Sequence, residues 1–146
     1  MTALEKVKDW LGNYPGFDIL STFQVDYTSE VPGCGGLFPA GLVELGRRRD
    51  ILGNTTVENQ YNFALYYVFE KAPGDETGAA GNAAWVMDFQ EWVQEQSVRG
   101  ALPRFGNTST REMAKAENGT LYEVDGEGIA LYSVQLSIRF EKRFER

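Results

Sequence analysis

The sequence predicts an α+β domain: a mainly antiparallel β-sheet with long hairpin strands, one short N-terminal helix and one long central helix packed on one face. Three observations predict it. Polar and apolar residues alternate over Thr55–Glu70 and again over Ile129–Arg143, the period of a strand with one wet and one dry face. Between them Trp85, Phe89, Trp92 and Gln96 recur at helical spacing, with Val86 and Val93 beside them. Turn-forming residues separate successive strands, so neighbours are expected to pair as hairpins, with the helices gathered on the apolar face of the sheet.

Each element follows from local chemistry. Ala3–Leu11 is a short amphipathic helix with the apolar stripe Ala3, Leu4, Val7, Trp10 and Leu11; Thr2 caps it, with Glu5 three residues on, and Gly12–Gly16 stops it. Asp18–Thr28 reads as the first strand, with Phe23, Val25 and Tyr27 opposite Thr22, Gln24 and Asp26. Ser29–Gly41 carries two prolines and four glycines and reads as a long loop that cannot be a central strand. Leu42–Leu52 is the second strand, Gly53-Asn54 a turn, and Thr55–Glu70 the third strand. There Val57, Tyr61, Phe63, Leu65, Tyr67 and Phe69 share one parity.

The alternation then breaks, and a helix is expected over Gly78–Arg99, capped by Asp75 or Thr77 and ended by Gly100. Arg111–Glu117 and Thr120–Val124 flank Asn118-Gly119, a pair suited to a two-residue hairpin. Asp125–Gly128 is a second turn. In the last strand Tyr132, Val134, Leu136, Ile138 and Phe140 point inward and Ser133, Gln135, Ser137, Arg139 and Glu141 outward. The expected order is α-β-β-β-α-β-β-β in a single domain of residues 1–146, with no internal repeat and no linker.

Composition narrows function. The 146 residues include 21 acids and 14 bases, a net charge of −7, so the molecule as a whole is not drawn to nucleic acid or anionic membrane. There is no histidine, which removes the commonest general base, the commonest metal ligand and the partner of Ser–His or Cys–His nucleophiles. Neither an enzymatic role nor a cofactor or metal is expected. Cys34 is the only cysteine, so no internal disulfide and no cysteine zinc cluster can form. Met1–Leu11 carries charges where a signal peptide needs an apolar core, and no run reaches membrane-spanning length, so a cytosolic protein is expected.

The strands are too long for the globule. A domain of this size is roughly 40 Å across, whereas a sixteen-residue strand such as Thr55–Glu70 spans roughly 50 Å. Gly128–Arg143 is similar. Either the sheet bends strongly or strand ends project as arms that something else must cover, and uncovered strands invite association.

Four constellations deserve both a plain and a functional reading. Arg47, Arg48 and Arg49 could face nucleic acid, but no aromatic residues interleave them for stacking; a solvated edge strand with Glu44 and Asp50 as local partners, or an acidic protein partner, fits the acidic chain better. Cys34 has no cation close in sequence to activate it, and the glycines around it lack the Lys-Ser/Thr ending of a phosphate loop. Trp85, Phe89 and Trp92 read as core, with a ligand pocket as the alternative. Asp75, Glu76, Asp88 and Glu91 match no calcium-loop spacing and read as surface acids.

Three stretches carry a resemblance to a known family: "FPAGLVELGRRRDILGNTTVENQYNFALYYVFEK", "PGDETGAAGNAAWVMDFQEWVQEQS" and "LYEVDGEGIALYSVQLSIRFEK". Together they resemble small tail-completion proteins of phages and prophages of Gram-positive bacteria, minor capsid or minor tail proteins of the tail-terminator (head–tail joining) type. The resemblance covers nearly the whole chain, and its most specific pieces are the "DILGN" turn with its long strand and the "NAAWVMDFQEWVQEQ" helix.

The resemblance implies a non-enzymatic virion protein, a homo-oligomer forming a ring, commonly a hexamer, at the head-proximal end of the tail. Its partners would be the tail-tube protein and the head-completion or connector protein, with DNA only as passing cargo and no membrane. It would be assembled in the cytoplasm of the bacterial host and reside in the virion tail. No catalytic residue transfers. From the residues themselves, the candidate subunit or partner interface is Pro32, Gly33, Leu37 and Phe38 of the Ser29–Gly41 loop, with Arg47, Arg48 and Arg49 of the following strand. The alternative is a small-molecule-binding α+β domain whose aromatic helix closes a pocket over a curved sheet; a carboxylate-using hydrolase is a third reading.

Overall fold

The computed structural model describes residues 2–19, 22–25, 33–70, 76–124 and 129–146. In chain order the elements are α1 (Ala3–Leu11), a 3-10 turn (Pro15–Ile19), β1 (Thr22–Val25), β2 (Cys34–Arg49), β3 (Thr55–Glu70), α2 (Glu76–Val98), β4 (Met113–Val124) and β5 (Ile129–Phe144). The strands form one five-stranded sheet in the order β1-β2-β3-β5-β4. Four of them, β2, β3, β5 and β4, pair antiparallel, as the alternation predicts. The exception is β1, which runs parallel to β2 from Thr22↔Cys34 to Val25↔Leu37.

β3 and β5 are the spine. They pair without interruption from Thr55↔Phe144 to Glu70↔Ile129. Their inward residues Phe63, Leu65, Tyr67 and Phe69, with Tyr132, Val134, Leu136 and Ile138, meet Val86, Phe89 and Val93 of α2 in one core. α1 completes the layer: the Trp10 ring stacks on Trp92 at 5.1 Å, and the Trp10 indole N–H donates to Gln96 at 3.3 Å. The Tyr14 hydroxyl donates to the Trp85 carbonyl, and the Trp85 indole N–H donates to the Gly16 carbonyl at 2.9 Å. Thr2 caps α1 by accepting from the Glu5 amide, as its spacing predicts.

Three expectations need correction. The first strand is shorter than Asp18–Thr28, because Asp18 and Ile19 belong to the 3-10 turn and pairing starts at Thr22; residues 26–28 and the Asp75 cap lie outside the described residues. The loop expected over Ser29–Gly41 is strand from Cys34 onward, and 29–32 lie outside the described residues. Gly35 serves close packing: a Cβ there would meet the Phe23 ring at 2.8 Å. Pro39 is tolerated because it lies past the last β1 pair and beside a bulge between Pro39 and Leu42, the two settings in which sheets accept proline.

The hairpin expected at Asn118-Gly119 does not turn. Met113–Val124 is a single strand along β5, and Asn118-Gly119 forms a bulge between Glu117 and Thr120, with Asn118 at φ 56°. Asn118 supplies the left-handed backbone that a bulge needs just as it would have supplied a turn. Gly119 lies under α2, where a Cβ would meet Val86 at 2.7 Å.

Candidate assembly surface

Past Phe38, β2 runs exposed beside β3 and β5 as the outer strand of a three-stranded arm. Every residue of β2 from Pro39 to Arg49 is exposed, as are Asp50, Ile51 and Leu52 at the tip. The tip is built by Asp50, whose carboxylate accepts from the Leu52 and Asn54 amides, each at 2.9 Å, while Gly53 adopts φ 86°. The Asn54 amide above all holds the Asp50 carboxyl below its ordinary value, against the desolvation that would raise it. This rigid turn displays Ile51 fully to solvent and Leu52 at 69% exposure. Leu42, Val43 and Leu45 lie exposed along the same strand, and Phe144 on β5.

The two edges of the arm are treated differently. On the β5 side, β4 pairs only as far as Met113↔Arg139, and Asn107 takes over: its side chain accepts from the Arg143 amide at 2.6 Å and donates to the Arg143 carbonyl at 2.9 Å. The Asn107 amide also donates to the Glu141 carbonyl. The loop carrying Asn107 is held by Glu112, 5% exposed, which accepts from the Phe105 amide at 2.9 Å, the Gly106 amide at 2.8 Å and the Arg104 guanidinium at 3.0 Å. Burial would raise the Glu112 carboxyl; those donors overcome it and hold it below the ordinary range. Phe105 then seats against Tyr61 and Phe140.

On the β2 side nothing comparable covers the edge. β1 pairs only with Cys34–Leu37, so from Phe38 to Arg49 β2 has no outer neighbour among the described residues. It is blunted instead, by Pro39, by bulges at Pro39/Leu42 and Glu44/Gly46, and by the arginines.

The structure separates the residues singled out from sequence. Pro32 lies outside the described residues. Gly33 lies in the turn just before β2 at φ 87°, its amide donating to the Val68 carbonyl. Leu37 is fully buried between Val25 and Leu65 and presents nothing to a partner. Phe38 is half-buried with its ring edge-on to Tyr66 at 5.1 Å. The arginines lie at the other end of the strand. Arg47 pairs with Glu44 at 2.8 Å and Arg48 with Glu141 at 3.0 Å, which holds the Glu141 carboxyl low. Arg49 makes no ion pair among the described residues. Register places Arg47 opposite Val57 and Arg49 opposite Thr55, hence on the helix side of the sheet, with Arg48 on the other.

Sequence reasoning missed the apolar members: Leu42, Val43, Leu45, Ile51, Leu52 and Phe144. The available signal was Ile51-Leu52, two large apolar residues inside a turn sequence.

Among the described residues no group of three or more metal-ligating side chains converges, and no helix is long and apolar enough to cross a membrane. Trp85, Phe89 and Trp92 pack on Tyr14 and Tyr67. They line none of three clefts on the molecule, the first of which, about 380 Å³, lies against Gln60, Asn62, Gln135 and Ser137 on the opposite face of the sheet. No protein-family model matches the chain, and no curated protein matches it.

Proposed function

We propose that the protein is a structural subunit of a phage tail, a tail-terminator or tail-completion protein that assembles as a ring, with six copies as the expected number. The observation that carries this reading is the arm: a three-stranded extension with a rigid apolar tip and one open edge. A monomer gains nothing from exposing Leu42, Val43, Leu45, Ile51 and Leu52 along one strand and its turn. A ring subunit needs a projecting feature that engages a different surface on its neighbour, because heterologous contacts are what close a ring. The resemblance of the arm and α2 sequences to tail-completion proteins supports the same reading, with the tail tube and head connector as partners.

Light scattering coupled to gel filtration, followed by negative-stain imaging, tests it. A discrete ring of one stoichiometry is expected at high protein concentration. A monomer under those conditions overturns the proposal.

A further inference from the structure

We propose that Arg47 and Arg49 of the arm dock on the acidic outer face of α2 of a second copy, giving the ring a head-to-tail contact. The inference rests on the ring reading and adds to it the surface that receives the arm.

Two observations select that surface. The outward stripe of α2 consists of Met87, Asp88, Glu91, Gln94, Glu95 and Val98, all exposed. Met87 and Val98 are 60% and 81% exposed, so the stripe joins acids to large apolar side chains. The arm presents the reciprocal combination, arginines beside Leu42 and the Ile51-Leu52 tip. Charge then sorts the partners. Glu95 is occupied by Arg99 at 2.8 Å, whereas Asp88 and Glu91 form no ion pair among the described residues, and neither does Arg49. Arg47 is held only by Glu44, at an exposed site where a pair is worth little and exchanges readily.

Strand addition, the other way to use an open edge, is disfavoured. Pro39 lacks a donor, and the two bulges break the register another strand would have to follow. The arm therefore contacts its neighbour through side chains. When the arm of each copy docks on the stripe of the next rather than reciprocally within a pair, the contact is heterologous, passes from copy to copy and gives a ring where the rotation closes.

Charge reversal tests the docking. Arg47→Glu with Arg49→Glu makes the arm acidic; Asp88→Lys with Glu91→Lys makes the stripe basic. All four positions are exposed, and Arg48, which holds Glu141, is left untouched. Each doubly substituted protein alone is expected to lose assembly, its midpoint concentration rising at least ~10-fold by sedimentation velocity. Mixed in equal amounts they are expected to assemble again, because each arm then finds an opposite stripe on the other protein. Thermal melting monitored by circular dichroism confirms that each variant is folded; Arg47→Gln with Arg49→Gln serves if a reversal variant is not, with a smaller loss expected.

Assembly of either reversal variant at the parent's midpoint overturns the docking and leaves the ring reading standing. So does a mixture of folded variants that stays monomeric. A parent protein that is itself monomeric overturns both.

Discussion

Glu112 lies where a strand begins, between Arg111 and Met113, and nothing in its sequence neighbourhood distinguishes it from any charged residue at a strand end. Its role appears only when the chain folds back and brings the Phe105 and Gly106 amides and Arg104 to one carboxylate. Removing the carboxylate strands the Phe105 and Gly106 amides and takes one acceptor from Arg104, which keeps the Thr108 and Thr110 carbonyls, so Glu112→Ala is expected to destabilise the protein by about 3 kcal/mol in urea denaturation. The pH dependence has a definite sign. The folded carboxyl titrates below its ordinary 4.5, so its contribution is complete above that value and is lost as pH falls through the folded value. Stability should decline with acidification below about pH 4.5, and Glu112→Gln should flatten that decline. Tyr67 is the opposite case. Its hydroxyl is fully buried with no hydrogen-bond partner among the described residues, and burial pushes its ionisation well above 10. Tyr67→Phe is expected to raise stability by about 1 kcal/mol in the same measurement, since it deletes an unsatisfied buried polar group and keeps the ring.

At the scale of elements, legibility tracked how each strand is buried. β3 and β5 have one dry face, so alternation reported them with the correct ends to within a residue or so. β2 is buried only over Cys34–Leu37, half-buried at Phe38 and exposed from Pro39 on. Its two bulges also reset the parity, so no continuous pattern could form. That is why Cys34–Gly41 read as loop and why the apolar residues of the arm escaped notice. Asn118-Gly119 failed for another reason. The same left-handed preference serves a turn or a bulge, and only the packing of α2 on β4 decides between them. Gly119→Ala should force Val86 and Gln90 aside and cost about 1–3 kcal/mol of stability by thermal or urea unfolding. At the tip the expected result is the reverse. Ile51→Ser with Leu52→Ser should leave stability within about 0.5 kcal/mol, yet weaken assembly measured by light scattering, because both side chains are largely exposed.

For the molecule as a whole, the acidic balance that argued against DNA binding acquires a second meaning in an assembly. Copies carrying −7 repel one another, so under the proposed ring, association would work through local charge matching and apolar contact. Salt screens both the general repulsion and the local attraction, but acts differently on each. If close Arg–carboxylate pairs dominate, assembly should weaken between about 0.05 and 0.5 M salt, where the screening length falls below ~5 Å; sedimentation across that range checks it. The absence of histidine and the single cysteine were legible at once and bounded function by chemistry. The open edge of β2 was not, because it depends on the fold bringing Asn107 against β5 and leaving β2 past Leu37 without an outer neighbour among the described residues.

The pairing of β3 with β5 carries a consequence for when the arm exists at all. These strands flank the whole of α2 and β4 in the chain, yet they hydrogen-bond along their full length. Contacts so distant in sequence slow folding toward the millisecond-to-second range. During synthesis the β2–β3 hairpin emerges long before the strand that must lie beside it. An isolated hairpin is marginal in water, so the tip that displays Ile51 and Leu52 is not firmly presented until β5 has been made and docked. Chain order thus acts as a timer: a polypeptide still on the ribosome carries the sequence of the arm without its shape, and under the proposed assembly neighbouring nascent chains would lack the surface by which to join.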